Sequence, residues 1–205
     1  MSFLGRSRPP EADASARWIV VGLGNPGREY ERTRHNLGAV VVERLLERGG
    51  GSLKRHRSGC LTAETRLGDR DVVVARPTSY MNESGRPVAA LVRWYKAEPA
   101  RLIVVHDELD LPFGDVRVKV EGGTAGHNGL ASIVSYLGSR DFIRVRAGIS
   151  RPRGDRDPVD YVLSEFSAAE RKELPLVVDD AADAVKRIIE VGPERAMNEI
   201  NTRTT

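Results

Sequence analysis

Short apolar runs alternate with amphipathic stretches along most of this 205-residue chain. Runs rich in Val, Ile and Leu, of strand length, fall at 18–23, 60–66, 71–76, 102–106, 116–120 and 143–149. Between and after them the pattern predicts helices at 37–48, 84–97, 129–138 and 168–190. The first has a stripe of Leu37, Val40, Val41, Leu45 and Leu46 and stops at Gly49-Gly50-Gly51. Ser84 is the expected cap of the second, with Pro87 in its first turn, where a missing N–H costs little. Gly138 closes the third. Ser167-Ala-Ala-Glu170 spells a capping box that opens the fourth. Pro175 should kink that helix or shorten its start, and Gly192-Pro193 should end it, leaving a short helix at 194–200. Gly68-Asp69 reads as a hairpin turn between two strands. The alternation predicts one α/β domain, spanning 17–205, with a mixed central β-sheet flanked by helices.

Composition narrows the setting. A chain of this length builds one ordinary domain, and 40% hydrophobic with 30% charged residues fits a globular protein. No run approaches the roughly 18 apolar residues that cross a bilayer. Residues 1–16 hold Arg6, Arg8, Pro9 and Pro10 without an apolar core, and are expected to be a disordered tail rather than a secretion signal. The single cysteine, Cys60, rules out a disulfide framework, fits a reducing cytoplasm, and is expected to be a buried small hydrophobe. A net charge of +3 permits a polyanionic partner without requiring one.

The segment after the first strand invites two interpretations. Gly22, Gly24 and Gly27 spell G-x-G-x-x-G, a dinucleotide-binding fingerprint. That fingerprint needs a helix opening at the third glycine to receive a pyrophosphate. Here eight polar residues, Arg28 to His35, intervene before any helical stripe, and the acidic residue expected after a second strand is missing. The polar groups of the segment matter more: Asn25 and His35 are delivered to the same end of the sheet. Three further segments also set polar groups where a strand gives way: Thr78 to Asn82, His106 to Asp110, and Gly122 to Gly129. Ligands of open α/β sheets bind beyond the strand C-termini, so all four can share one pocket.

That inventory limits the chemistry. No G-x-S-x-G elbow, no P-loop and no zinc spacing among His35, His56, His106 and His127 is present. Remaining are an imidazole, carboxylates and carboxamides. A histidine oriented by a carboxylate removes a proton from water near neutral pH, while carboxamides hold a carbonyl and a water in register. The set suits hydrolysis of an activated ester by water.

Four motifs, G-L-G-N-P-G-x-x-Y-x-x-T-R-H-N (22–36), P-T-x-Y-M-N-x-S-G (77–85), H-D-E-L-D-L-P-x-G (106–114) and G-H-N-G-L (126–130), resemble the bacterial peptidyl-tRNA hydrolase family in order and spacing. The resemblance spans about residues 17–200. It implies a cytoplasmic monomer acting in translation on the ester between a peptide and the 3′ end of tRNA, with no metal or organic cofactor. Matched position by position, it implies His35 as the catalytic histidine, Asp107 as its carboxylate, and Asn25 as the amide that distinguishes blocked from free aminoacyl groups. Tyr30, Tyr80, Met81, Asn82 and Asn128 match substrate-binding positions, and Lys119 and Arg146 match basic positions that meet terminal phosphates of the tRNA. Thr124 stands where many relatives carry a histidine. An RNA-binding relative without turnover is the alternative.

Overall fold

A computed structural model describes residues 17–203; the proposed tail at 1–16 lies outside the described residues. Seven strands form one sheet in the order β2-β3-β4-β1-β5-β7-β6. The centre is parallel: β1 (Trp18–Gly22) lies between β4 (Arg70–Pro77) and β5 (Leu102–Glu108), and β5 pairs with β7 (Ile143–Gly148). The flanks are antiparallel, with β3 (Cys60–Leu67) and the two-residue β2 (Lys54–Arg55) at one side and β6 (Val116–Val120) at the other. The sheet is therefore mixed, as the alternating pattern predicts. Trp18-Ile-Val-Val and Leu102-Ile-Val-Val read as unbroken apolar runs because helices bury both faces.

On one face, α1 (Leu37–Gly49), α5 (Ala168–Val191) and α6 (Pro193–Arg203) join a core containing Val20, Val74, Val105, Leu45 and Val185. On the other, α2 (Gly85–Trp94) and α3 (Asn128–Leu137) cover Ile19, Val73 and Val104 with Leu91 and Ile133. The short α4 (Pro158–Val162), which has no strong apolar period, is absent from the expected elements.

Several local expectations need correction. Ser84 does not cap α2: it has helical dihedrals (φ −60°, ψ −26°), and its buried hydroxyl has no hydrogen-bond partner among the described residues. A 3-10 turn, Met81–Glu83, already leads into the helix, so its entry is set upstream. The helix ends at Trp94, not 97, and Lys96 turns to positive φ (51°). Pro175 does not shorten α5, which begins at Ala168 behind a complete Ser167–Glu170 capping box. That box fixes the first turn two turns before the proline withholds its N–H. Cys60 is buried as expected, and burial pushes its thiol up to about 11.

A glycine in the first turn of α1 allows a close backbone crossing. A Cβ on Gly38 would overlap the Val105 carbonyl oxygen and lie 2.7 Å from the Leu23 nitrogen, so only glycine lets α1 begin directly over β1 and β5. The same crossing sets His35 over the end of β5. Gly38→Ala is expected to destabilise the fold by about 2 kcal/mol or more, because backbone rather than a flexible side chain must yield. Thermal unfolding would read this as a lowered Tm; an unchanged Tm would mean the crossing has slack.

Candidate active site

A cavity of about 500 Å³ opens beyond the C-terminal ends of β1, β4 and β5. Asn25, His35, Tyr80, Met81, Asn82, Asp107 and Asn128 all line it. Four segments separated in sequence thus meet where the strands end, and α4 adds an apolar wall of Pro158, Val159 and Val162. A recess of similar volume, about 480 Å³, lies between α5, α6 and β6. Its two cations pair with its own acids, Lys186 with Glu190 and Arg187 with Glu199, and it holds no imidazole.

Asp107 is the hub. It is a strand residue near the end of β5 and is 3% exposed. His35 Nδ1 lies 3.0 Å from both of its carboxylate oxygens, and His127 Nε2 lies 3.1 Å from Oδ1. Burial pushes the carboxyl upward, but the two imidazoles outweigh it and hold the group well below the ordinary carboxylate range.

Hydrogen bonding assigns each imidazole its tautomer. His127 is the N-cap of α3, and its Nδ1 accepts from the backbone N–H of Gly129 (3.1 Å) and Leu130 (3.4 Å). With Nδ1 committed as acceptor, Nε2 carries the proton and donates to Asp107. His35 donates through Nδ1–H to the same carboxylate. Its Nε2 has no partner among the described residues and keeps a lone pair for a proton. The two imidazoles are therefore unequal: one is a free base and the other a fixed donor. His106, one residue before the hub, is fully buried, with Nδ1 2.7 Å from the Asp107 carbonyl oxygen and its ring edge-on to His127 at 4.9 Å. Burial first, then His127, pushes it down to about 3, so it stays neutral.

Asn25 is held with equal definition. Its backbone N–H donates to Asn36 Oδ1 (2.8 Å), and Asn36 Nδ2 returns a bond to the Asn25 carbonyl (2.9 Å). Asn25 Oδ1 accepts from the Met81 N–H at 2.7 Å. Its Nδ2 is thereby left as the unspent donor of a side chain that lines the cavity. Gly24 packs against Asn36, where a Cβ would lie 3.1 Å from Cγ, and Gly27 has φ +107°. The glycines serve this turn, and α1 starts only at Leu37, so no helix opens at Gly27 to hold a pyrophosphate.

The remaining sequence-predicted residues divide in two. Tyr80, Asn82 and Asn128 line the cavity, Met81 is buried beside Gly129, and Tyr30 packs edge-on against Tyr80 at 6.4 Å without lining it. Lys119 and Arg146 stand apart from the cavity wall. They occupy β6 and β7, where Arg117 pairs with Arg146 and Lys119 with Arg144, so four cations share one sheet face. Arg146 donates to Glu108 Oε2 at 3.0 Å. Arg144 is buried and braces the glycine-rich loop by donating to the Gly122 carbonyl at 2.8 Å. Burial pushes it down to about 10, so it remains a cation.

His127 and Asn36 were not singled out as site residues from sequence, although both lie inside the quoted motifs. Their roles depend on tertiary hydrogen bonds, and adjacency to Asn128 and His35 was the one available signal. His35, Asp107 and His127 are also of metal-ligating type, with ligand atoms within 4.8 Å of one another. Sequence spacing had given no hint of this grouping. A cation there would have to replace the two protons that tie the imidazoles to the carboxylate.

Comparison with known proteins agrees with this architecture. Residues 19–205 match the family model described as peptidyl-tRNA hydrolase. A peptidyl-tRNA hydrolase of Kineococcus radiotolerans is 54% identical, the match covering 91% of this chain and 98% of that one. One of Frankia casuarinae is 58% identical, covering 88% and 92%. The crystal structure of peptidyl-tRNA hydrolase from Acinetobacter baumannii superposes with a TM-score of 0.84 at 35% identity, covering 90% of this chain and 94% of that one.

Proposed function

From the premise that this chain belongs to the peptidyl-tRNA hydrolase family, we propose that it hydrolyses the ester joining a peptide to tRNA, with His35 as the base that activates water. The observation that carries the site assignment is the shared carboxylate of Asp107, which commits His127 as a donor and leaves His35 Nε2 unprotonated. His35 takes a proton from water as it attacks the ester carbonyl, and Asp107 stabilises the imidazolium that forms. The proton then passes to the departing ribose oxygen, releasing free tRNA for another round of translation. Asn82 and Asn128 orient the water and peptide backbone, and their amide N–H groups donate to the developing oxyanion.

Selectivity follows from the unspent Asn25 Nδ2–H. A blocked amine carries an acyl carbonyl that accepts this bond, whereas a free ammonium has only donors and would leave it unpaired. Tyr30 and Tyr80 form an aromatic edge for the terminal base, and Lys119 and Arg146 meet phosphates of the acceptor stem, without reading sequence. The substrate is common to all tRNAs, so backbone contacts suffice. The protein acts as a monomer in the cytoplasm; no described helix is long and apolar enough to cross a membrane. Nothing favours a turnover-deficient RNA-binding relative, since binding alone needs no oriented base.

The test is release of tRNA from N-acetylated aminoacyl-tRNA beside the same species with a free amine. The blocked substrate should turn over at least about tenfold faster, roughly one lost hydrogen bond in the transition state. Prolonged dialysis against a chelator should leave the rate unchanged. Loss on chelation with recovery on adding back a divalent cation would reassign His35, Asp107 and His127 as a metal centre.

A further inference from the structure

A second groove, of about 510 Å³, shares a wall with the catalytic cavity. The loop at 78–83 forms that wall: Tyr80, Met81 and Asn82 face the cavity, while Thr78, Ser79 and Glu83 face the groove. Across from them the groove is lined by Arg57, Arg86 and Tyr136. The turn carrying Arg57 is tied to the loop, since the Thr78 N–H and hydroxyl both bond the Gly59 carbonyl, at 3.1 and 2.8 Å.

The chemistry of this groove is not used by the mechanism above. Arg86 has no carboxylate partner among the described residues, and Arg57 has none either, lying instead over the Trp94 ring at 4.9 Å. Lys54 and Arg55, just before it on the edge strand, are exposed. Against these cations the groove lining presents a single acid, Glu83. Trp94 and Tyr136 are 52% and 55% exposed, large for aromatic rings. The Ser79 hydroxyl is buried with no hydrogen-bond partner. Unpaired guanidinium groups interleaved with exposed rings form a surface on which phosphates are gripped and bases stack.

We propose that this groove is a second RNA contact, which takes a phosphate of the substrate's tRNA between Arg57 and Arg86 and a base against Tyr136. It rests on the hydrolase reading and extends it to the flank opposite β6 and β7. The other half of the substrate fits less well. A nascent peptide varies in charge from one molecule to the next, whereas the phosphodiester charge is constant, and fixed unpaired cations match only the constant partner. Arg146 on β7 and Lys119 on β6 sit at the far side of the sheet, three and four strands beyond β4, so the two cationic surfaces flank the cavity.

The experiment compares the wild-type protein with the Arg57→Ala/Arg86→Ala double variant on two substrates: full-length N-acetyl-aminoacyl-tRNA and the N-acetyl-aminoacyl ester of adenosine. For full-length substrate KM should rise about tenfold, and the slope of log KM against log salt should shrink by about one, for the one phosphate no longer held. The adenosine ester should show no change in KM. Equal KM for full-length substrate in both proteins would overturn the proposal. So would an equal KM rise on the adenosine ester, which would mean that the 78–83 loop had been distorted. Binding of deacylated tRNA, measured on the same two proteins, keeps this separate from catalysis: weaker binding by the variant supports the groove even if neither protein hydrolyses. Arg57→Gln/Arg86→Gln serves as a second variant that retains side-chain bulk.

Discussion

Replacing His35 by alanine should lower kcat on N-acetylated aminoacyl-tRNA by about a thousandfold, within the range that general-base catalysis supplies. KM should change far less. His35 is 8% exposed, and its Nδ1 is engaged with Asp107, so the ring contributes to the chemical step more than to grip on a large RNA. The binding surfaces described above, Tyr80, Asn82, Asn128 and the cations of β6 and β7, remain in place in the variant. His35 sits in a 3-10 turn, Arg34–Asn36, anchored on both sides: Arg34 donates to Ser164, Glu165 and Glu170, and Asn36 holds the Asn25 turn. Loss of the ring therefore leaves the turn standing, which unfolding measurements on the variant would check. Steady-state tRNA release near the wild-type rate would remove His35 from its assigned role.

Much of this was legible in the sequence, and the reasons are physical. Strands buried on both faces give unbroken apolar runs, so β1, β4 and β5 fell where Val, Ile and Leu cluster, while β7 alternates Ile143 and Val145 with Arg144 and Arg146. Stripes at helical spacing located α1, α2, α3 and α5. What has no apolar period was missed: β2 is Lys54-Arg55 on an exposed edge, and α4 is five residues behind an Asp157 cap. Ser84 misled because a capping residue type was read without the 3-10 turn that pre-empts it. For the site, polar groups at strand ends pointed to Asn25, His35, Asp107 and Asn128, since the topology of an open sheet brings such ends together. The identities of the donors and acceptors were not legible. They follow from hydrogen bonds across 11 to 72 residues of chain together with the local bonds of Gly129 and Leu130 to His127 Nδ1, and these jointly distinguish His35, the proposed base, from His127, a fixed donor.

That distinction gives the second large effect, in Asp107→Asn. The wild-type carboxylate accepts from both imidazoles and presents no proton to either. An amide has one oxygen and one NH₂. His127 cannot reverse its polarity, because its Nδ1 already accepts from two backbone N–H groups of α3. The new amide oxygen must therefore face His127, and the NH₂ must face His35 Nδ1. His35 is then driven to accept at Nδ1 and carry its proton on Nε2, the nitrogen that should receive one from water. A base in the wrong tautomer should cost on the order of 10⁴ in kcat, more than removal of a mere orienting contact. Acid sensitivity should change as well. Asp107 is held below its usual 3.8, so it stabilises the fold above that pH and the contribution is lost as pH falls toward its lowered value. The variant lacks this dependence, and its Tm deficit relative to wild type should narrow on acidification below about pH 4. The tautomer argument has its own check in the double variant Asp107→Asn/His127→Asn. Asparagine still caps α3 but no longer donates to position 107, which frees the amide to turn its oxygen to His35. The double variant should recover at least about tenfold in kcat over Asp107→Asn alone. If it is no faster, the loss in the single variant comes from the missing charge and not from a misplaced proton.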